Sequence, residues 1–216
     1  MQVFSPGTVL ALKLGALGTL VVIVASVFLW RRYIDLQPAI GDPVAQVVPF
    51  SHKHHVGDDG IDCRYCHTSV GRAAFAGIPP LSTCMTCHSQ LFKTAPVLAP
   101  VRTAFAGGPA LEWRRVNELP DFVYFDHSIH IAKGIGCSSC HGEVDRMPLT
   151  ERQAPLSMQW CLACHRNPES QLRPQSQIFN MRWKPPAGQR ELGQRLRLFY
   201  HLHSTDVLTS CSTCHR

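Results

Sequence analysis

Ten cysteines in the 216-residue chain form five pairs, each with two residues between the cysteines and a histidine directly after the second. Residues at i, i+3 and i+4 lie on one face of a helical turn, so both thiols can form thioethers with one haem while the imidazole reaches its iron. The spacing predicts five covalently bound haems c, each with a proximal histidine ligand. The segments are Cys63-Arg-Tyr-Cys66-His67, Cys84-Met-Thr-Cys87-His88, Cys137-Ser-Ser-Cys140-His141, Cys161-Leu-Ala-Cys164-His165 and Cys211-Ser-Thr-Cys214-His215.

Other uses of these cysteines fit the pattern less well. Zinc ribbons close four-thiolate sites from two cysteine pairs, and five pairs cannot be divided in that way. A redox dithiol needs one such pair and no following histidine. The net charge of +6 does not require a nucleic-acid partner, because ferric haem with its propionates contributes about −1 and propionates pair with Arg and Lys.

Seven histidines remain, and most of them recur in a Phe-x-His-x-x-His pattern ahead of a cysteine pair. Phe50 begins the first copy and Phe125 the second, and each copy precedes two haem motifs. Two histidines for two haems predict the distal iron ligands, although the sequence does not say which histidine serves which haem. We predict His52, His55, His127 and His130 as these ligands, with His54 as a spare.

The fifth distal ligand has more than one candidate. The repeat favours His201 in Phe199-Tyr-His201-Leu-His203, where His203 is out of phase. A methionine thioether from Met147 or Met158 is the alternative, and it would raise the potential of that haem relative to the bis-imidazole ones.

An apolar segment precedes the haem motifs. Residues 9–30 are almost uncharged, and twenty-two helical residues span about 33 Å, enough for the hydrocarbon core of a bilayer. A cleavable signal peptide is the main rival, but no basic region precedes the apolar run and the cleavage site is poor. We predict a single-pass anchor over residues 1–33. Arg31 and Arg32 after the span favour a cytoplasmic location for the rest of the chain. Haem c is attached outside the cytoplasm, and on that ground we predict that the haem domain is periplasmic or extracellular.

The remaining chain predicts a fold that is mainly α and coil, with little β structure and a core packed with haem. Residues 34–49 contain three prolines and indicate a linker. Residues 50–216 form the predicted pentahaem domain, with units 50–124 and 125–198 and a half unit 199–216.

The two Phe-x-His-x-x-His units resemble those of class III multihaem cytochromes. The whole chain resembles the membrane-anchored pentahaem cytochrome c subunit of bacterial alternative complex III. The similarity lies in the N-terminal span, Gly60-Ile-Asp-Cys63-Arg-Tyr-Cys66-His67, Arg115-Val-Asn-Glu-Leu-Pro-Asp-Phe-Val-Tyr-Phe-Asp-His127, Pro155-Leu-Ser-Met-Gln-Trp-Cys161 and Leu208-Thr-Ser-Cys-Ser-Thr-Cys-His-Arg216.

This resemblance implies an electron carrier of the bacterial cytoplasmic membrane with no substrate site of its own. Its implied partners are the iron–sulfur and quinol-oxidising subunits of the complex and a monohaem cytochrome c or other periplasmic acceptor. In such subunits the segment before the last haem is not dependably histidine, which favours a methionine ligand. A standalone membrane-anchored quinol dehydrogenase is the alternative; a nitrite reductase would need an open iron, which a full set of distal histidines disfavours.

Overall fold

The computed structural model describes residues 4–35 and 40–215, and it divides the chain into two compact units, residues 1–39 and residues 40–216. The first unit is the helix α1, Pro6–Asp35. Within the described residues, Pro6–Arg32 is the stretch of helix long and apolar enough to cross a bilayer, a property that membrane anchors and signal sequences share. The hydroxyl of Thr19 donates to the carbonyl of Gly15 at 2.9 Å, so this polar side chain is satisfied within the helix.

The second unit consists of short helices joined by coil. In residues 40–215 there is no β-strand, and only two isolated bridges, Pro43 with Glu151 and Ile135 with Leu172, occur. The prediction of a mainly α and coil fold is confirmed. A π-helical turn covers Lys53–Asp58, and the α-helices are α2 (Cys63–Cys66), α3 (Leu81–His88), α4 (Ala99–Phe105), α5 (His127–Ala132), α6 (Ser138–His141), α7 (Met158–Arg166), α8 (Gln189–Phe199), α9 (Thr205–Leu208) and α10 (Cys211–Cys214).

Each cysteine motif lies on one of these helices, and several of them begin at a capping side chain. The Asp62 carboxylate accepts from the amide of Arg64 at 2.8 Å at the start of α2. Asp126 accepts from the amide of Ser128 at 2.7 Å at the start of α5, which carries His127 and His130. Caps of this kind satisfy amides that have no partner within the helix, so they fix where each short helix begins.

Few large side chains are buried by protein alone. Leu172 and Ile178 have no exposed surface. The segment that contains them is hydrogen-bonded to the backbone at the start of the third motif. The amide of Arg173 donates to Gly134 at 2.9 Å, and the amide of Cys137 donates to Ile178 at 3.1 Å. This small apolar centre therefore holds the third motif against the coil that follows the fourth.

The helix α8 packs on the same coil. A Cβ on Gly193 would overlap the backbone of Glu169, so the absence of a side chain lets the helix approach closely. Arg197 and Glu169 then form an ion pair at 2.5 Å, with both side chains about one-fifth exposed.

The N-terminal part of this unit is attached by backbone bonds. Gly41 donates to the carbonyl of Arg152 at 2.8 Å, and Val44 donates to Thr150 at 3.1 Å. Part of the predicted linker therefore pairs with residues 150–152, whereas its residues 36–39 lie outside the described residues.

Candidate haem-binding sites

The imidazoles of the four predicted distal histidines each face the imidazole of one motif histidine. A nitrogen ligand lies about 2.0 Å from its metal and about 1 Å from its ring centre, so two imidazoles on one iron have centroids about 6 Å apart. The structure therefore gives each of these four pairs the spacing that one iron needs. The centroid distances and interplanar angles are 6.5 Å and 10° for His52–His67, 6.1 Å and 72° for His55–His88, 6.3 Å and 6° for His127–His141, and 6.1 Å and 39° for His130–His165.

The pairs follow a simple rule. Within each repeat unit, residues 50–124 and residues 125–198, the first histidine of the His-x-x-His turn faces the histidine of the first motif. The second histidine faces the histidine of the second motif. Three residues separate the two histidines of a turn, so their side chains leave the backbone on neighbouring parts of one face. One turn can therefore reach two irons, which links the two sites of each unit.

Hydrogen bonds at Nδ1 orient these rings. A carbonyl can only accept, so a ring bonded in this way carries its proton on Nδ1 and presents the lone pair of Nε2 to a metal. The geometry is that of an iron ligand at seven rings, including His215. The carbonyl partners are Gly77 for His67 (2.7 Å), Leu91 for His88 (3.2 Å), Ser51 for His55 (2.9 Å), Ala74 for His127 (2.7 Å), Asp126 for His130 (2.7 Å), Leu208 for His165 (2.8 Å) and Phe122 for His215 (3.1 Å).

Side chains serve the two remaining rings. Nδ1 of His52 lies 2.9 Å from the hydroxyl of Thr150, and Nδ1 of His141 lies 3.1 Å from the side-chain amide of Asn117. The amide oxygen of Asn117 is buried without a partner among the described residues, and rotating the amide by 180° would let it accept from Nδ1 of His141. Thr150 and Asn117 therefore complete the same pattern.

A phenylalanine supports each pair of distal histidines in the same way. Phe50 stacks on His55 at 4.5 Å and meets His52 edge-on at 4.9 Å. Phe125 repeats this arrangement, stacking on His130 at 4.5 Å and meeting His127 edge-on at 4.8 Å. The phenylalanine of the sequence pattern thus holds both rings of the turn in place.

Burial keeps several of these rings neutral. Burial, with the charge of His67 next in importance, lowers the pKa of His52 to about 4. Burial likewise lowers the pKa of His141 to about 4, with His127 contributing next. A metal ligand must be deprotonated, so these imidazoles are in the ligating form at neutral pH.

None of the ten cysteines forms a disulfide, so all ten can form thioethers. Burial is the main cause that raises the pKa of Cys66, Cys137, Cys140 and Cys161, to about 11 for Cys137 and about 12 for Cys140. Thiols of neighbouring motifs add to this effect. The neighbours are Cys84 for Cys66, Cys63 for Cys137, Cys164 and Cys161 for Cys140, and Cys214 for Cys161.

Direct contacts join the same motifs. The first and second motifs meet where the hydroxyl of Tyr65 lies 2.9 Å from that of Thr86. The first and third motifs are linked through the coil that follows the fourth motif. The guanidinium of Arg64 lies 4.7 Å from the ring centre of Phe179, and the carbonyl of the preceding residue, Ile178, accepts from the amide of Cys137. The fourth and fifth are joined by the bond from His165 to Leu208, in the helix α9 that leads to Cys211.

The fifth motif has different surroundings. The ring nearest to His215 is that of Phe122, at 5.8 Å, and the amide of Tyr124 donates to the carbonyl of Cys214 at 2.9 Å. No contact of the described residues joins His215 to the ring of a second histidine. No described contact joins His201, Met147 or Met158, the three predicted candidates for the distal ligand, to this motif.

His201 has a φ of 50°, and its ring makes no described hydrogen bond or ring contact. Phe199 before it packs on Tyr200 rather than on a histidine, so the half unit does not repeat the aromatic arrangement of the full units. Met147 is buried and its carbonyl accepts from the amide of Lys53, whereas Met158 is 67% exposed at the start of α7. The fifth distal ligand therefore stays a prediction.

The spare histidine His54 differs from the ring pairs. Its Nε2 lies 3.5 Å from the carboxylate of Asp59, so the nitrogen that would face iron in the other rings faces a carboxylate. The sequence analysis missed Thr150 and Asn117, because no pattern marks a polar residue that approaches a histidine from a distant loop. Nor did it single out Arg173, whose surroundings come from the packing of coil segments.

The chain is similar in sequence to known cytochromes c. Residues 123–216 match the family model described as cytochrome c7 and related cytochrome c. The chain is 32% identical over 120 residues to the protein named menaquinone reductase, multiheme cytochrome c subunit, from Nitratidesulfovibrio vulgaris (strain Hildenborough). That match covers 55% of this chain and 55% of the relative, so the similarity spans about half the length of that protein. Residues 123–216 are thus similar to multihaem cytochrome c domains.

Proposed function

We propose that this chain is the electron-transfer subunit of a membrane quinol:acceptor oxidoreductase complex and that it relays electrons through five covalently bound haems c. Each haem, when bound, supplies a one-electron Fe(III)/Fe(II) couple. The chain would attach each haem by two cysteines and orient the imidazoles that ligate its iron. It has no substrate site of its own in this proposal.

The four opposed imidazole pairs carry the proposal. The two imidazoles of each pair would both ligate one haem iron, which would leave no position on that iron for a substrate. Nδ1 hydrogen bonds fix the rings before and after electron transfer, so little rearrangement accompanies a change of charge. Such a site is suited to passing electrons rather than to converting a substrate.

Contacts between the motifs support one order for the haems. His52 and His55 share a turn, which makes the haems of Cys63–Cys66 and Cys84–Cys87 neighbours, and α5 does the same for the third and fourth. Arg64 of the first motif contacts Phe179, next to Ile178, whose carbonyl accepts from the amide of Cys137 in the third motif. The bond between His165 and Leu208 joins the fourth motif to the fifth. The proposed path runs from the second motif through the first, third and fourth to the fifth.

The proposed location is the bacterial cytoplasmic membrane, with α1 as a single-pass anchor and the haem domain on the periplasmic or extracellular side. Haem c attachment outside the cytoplasm supports that side. The proposed partners are iron–sulfur and quinol-oxidising subunits and a monohaem cytochrome c, as the resemblance to alternative complex III implies.

The named relative favours a second candidate function with the opposite direction of electron flow. Its name is that of a menaquinone reductase subunit, in which electrons would pass from the haems to a quinone. The same ligand geometry suits both directions, because a chain of one-electron sites conducts either way. A standalone membrane-anchored quinol dehydrogenase is the remaining alternative.

The test is to purify the chain from its native membrane with its associated subunits and to add quinol or an electron donor in separate experiments. Quinol-dependent reduction of the haems, lost when the other subunits are removed, supports the proposal. Quinol oxidation by the isolated chain would identify the standalone enzyme. Haem oxidation by added quinone, without reduction by quinol, would establish the reductase direction.

A further inference from the structure

Arg173 is a buried cation beside the third haem motif. Its side chain is 3% exposed, and its guanidinium donates to the hydroxyls of Ser138 at 3.2 Å and Ser139 at 3.0 Å. These two serines lie between Cys137 and Cys140. The same guanidinium donates to the carbonyl of Asn180 at 3.3 Å, and the nitrogen Nε has no partner within the described residues.

Among the described residues, the contacts of the Arg173 guanidinium include no carboxylate. The described ion pairs of the chain involve other arginines, and both serine hydroxyls and the carbonyl are neutral acceptors. Burial lowers the pKa of Arg173, but an arginine stays protonated in proteins. The guanidinium is therefore a fixed positive charge that no carboxylate of residues 40–215 contacts.

Packing holds this charge in place. The guanidinium carbon lies 4.4 Å from the ring centre of Trp183, which stabilises a cation on its face. A Cβ on Gly136 would overlap the guanidinium, so the glycine directly before Cys137 leaves the space that Arg173 fills. The guanidinium, which belongs to the coil after α7, thus packs directly on residues 136–139 of the third motif.

We propose that Arg173 sets the redox potential of the haem attached to Cys137 and Cys140 by holding a buried positive charge next to its attachment site. Reduction adds one electron to the haem, so a nearby cation stabilises the ferrous form relative to the ferric form. Because the guanidinium is buried, water screens its effect only weakly. Arg173 is a tuning residue, since it touches the attachment segment and not the iron.

The carboxylates beside the first motif are paired with arginines. The carboxylate of Asp62, which caps the helix of that motif, lies 2.8 Å from the guanidinium of Arg64, and Asp145, 7% exposed, pairs with Arg182. We therefore expect the haem of the third motif to have a higher potential than that of the first. This inference rests on the haem occupancy in the proposed function, and in the proposed order it makes the central haem a favourable position for an electron.

The test compares Arg173→Gln, which removes the charge, with Arg173→Lys, which keeps a charge but not the planar donor group. Arg195→Gln on the exposed side of α8 is the control for the loss of one positive charge. Each full-length holoprotein is purified in detergent, its haem content is measured, and its haems are titrated by absorbance and by resolved haem NMR signals.

We expect Arg173→Gln to lower the potential of one haem, shifting its reduction equilibrium about tenfold, or about 59 mV for one electron. The shifted haem should be the one whose low-spin signal is lost in His127→Ala. Arg173→Lys should shift it less, and Arg195→Gln should leave all potentials in place. An unchanged titration of Arg173→Gln, with five haems bound, would overturn the inference.

The wild type provides a measurement that does not depend on the folding of a variant. Its third-motif haem should be reduced at a higher potential than its first-motif haem, each assigned by its distal-ligand variant. The reverse order would overturn the inference even where Arg173→Gln fails to incorporate haem. A chain without haem at these motifs would instead refute the proposed function.

Discussion

The imidazoles of His127 and His141 face each other at 6.3 Å between ring centroids and lie within 6° of parallel. His127 is bonded through Nδ1 to the carbonyl of Ala74, in the loop after the first motif. His141 is held from its other side by Asn117. This pair of rings therefore depends on residues from both repeat units, 50–124 and 125–198. The folding of the two repeat units is thereby linked to the formation of the third predicted haem site.

We expect His127→Ala to convert one haem to a five-coordinate, high-spin state that binds carbon monoxide. The substitution removes the ring opposite His141 and leaves no other described imidazole at that distance. The absorbance of the reduced protein with and without carbon monoxide measures the change, which should equal one haem per chain.

His54→Ala is the matched control for that experiment. His54 lies beside His55 but faces Asp59, so its removal should leave all haems low-spin. A high-spin haem in His54→Ala, or none in His127→Ala, would contradict the assignment of distal ligands.

Thr150→Val should raise the potential of the haem between His52 and His67 while leaving it low-spin. The hydroxyl of Thr150 is the Nδ1 partner of His52, and an acceptor at that position increases the electron donation of the imidazole to ferric iron. A net hydrogen bond of about 1 kcal/mol limits the shift to a few tens of mV for one electron. Redox titration measures it, with Thr103→Val on the exposed surface of α4 as the control. A shift of equal size in Thr103→Val would rule out an effect through His52.

Glu169→Gln should lower the free energy of unfolding by about 1–2 kcal/mol at neutral pH, because it removes the charged partner of Arg197. Burial alone raises the pKa of Glu169, but the hydrogen bonds and charge of Arg197 and other groups outweigh it, so the net shift is downward from 4.5. A carboxylate with a lowered pKa in the folded state stabilises the protein above its ordinary pKa, and this contribution is lost as the pH falls below 4.5.

Thermal unfolding of the wild type and Glu169→Gln should therefore converge as the pH is lowered through that range. A difference in melting temperature that persists at pH values below the folded pKa of Glu169 would show that the effect does not come from its charge.

His201→Ala should leave the number of low-spin haems unchanged. Phe199 does not hold His201 as Phe50 and Phe125 hold the four paired histidines, and the ring of His201 has none of their Nδ1 hydrogen bonds. The haem spectrum measures the outcome. A new high-spin haem in this variant would identify His201 as the fifth distal ligand and show that the aromatic support is not required.

The sequence was sufficient to single out the five cysteine motifs and the four histidines that the structure places opposite motif histidines, because both patterns depend on helical spacing within a few residues. His52 and His55, three residues apart, predict one helical turn that supplies two iron ligands. The mainly α and coil fold also follows from local patterns, since short motif helices and proline-rich coil leave no alternating strands.

The partners of these histidines depend on packing over long distances. His52 meets Thr150 and His127 meets the loop at Ala74, and no periodicity relates those positions. Arg173 illustrates the same limit: an arginine in a coil segment is usually exposed, and its burial here follows from the space left by Gly136 and from the ring of Trp183.

Electron paramagnetic resonance of the fully oxidised holoprotein tests the central claim of four bis-imidazole sites most directly, because the signal of low-spin ferric haem depends on the angle between its axial rings. The near-parallel pairs His52–His67 and His127–His141 predict two rhombic signals, and the 72° angle of His55–His88 predicts one strongly anisotropic signal. The pair at 39°, His130–His165, predicts a fourth signal between these types. Fewer than four bis-imidazole haems, or four signals of a single type, would contradict the account.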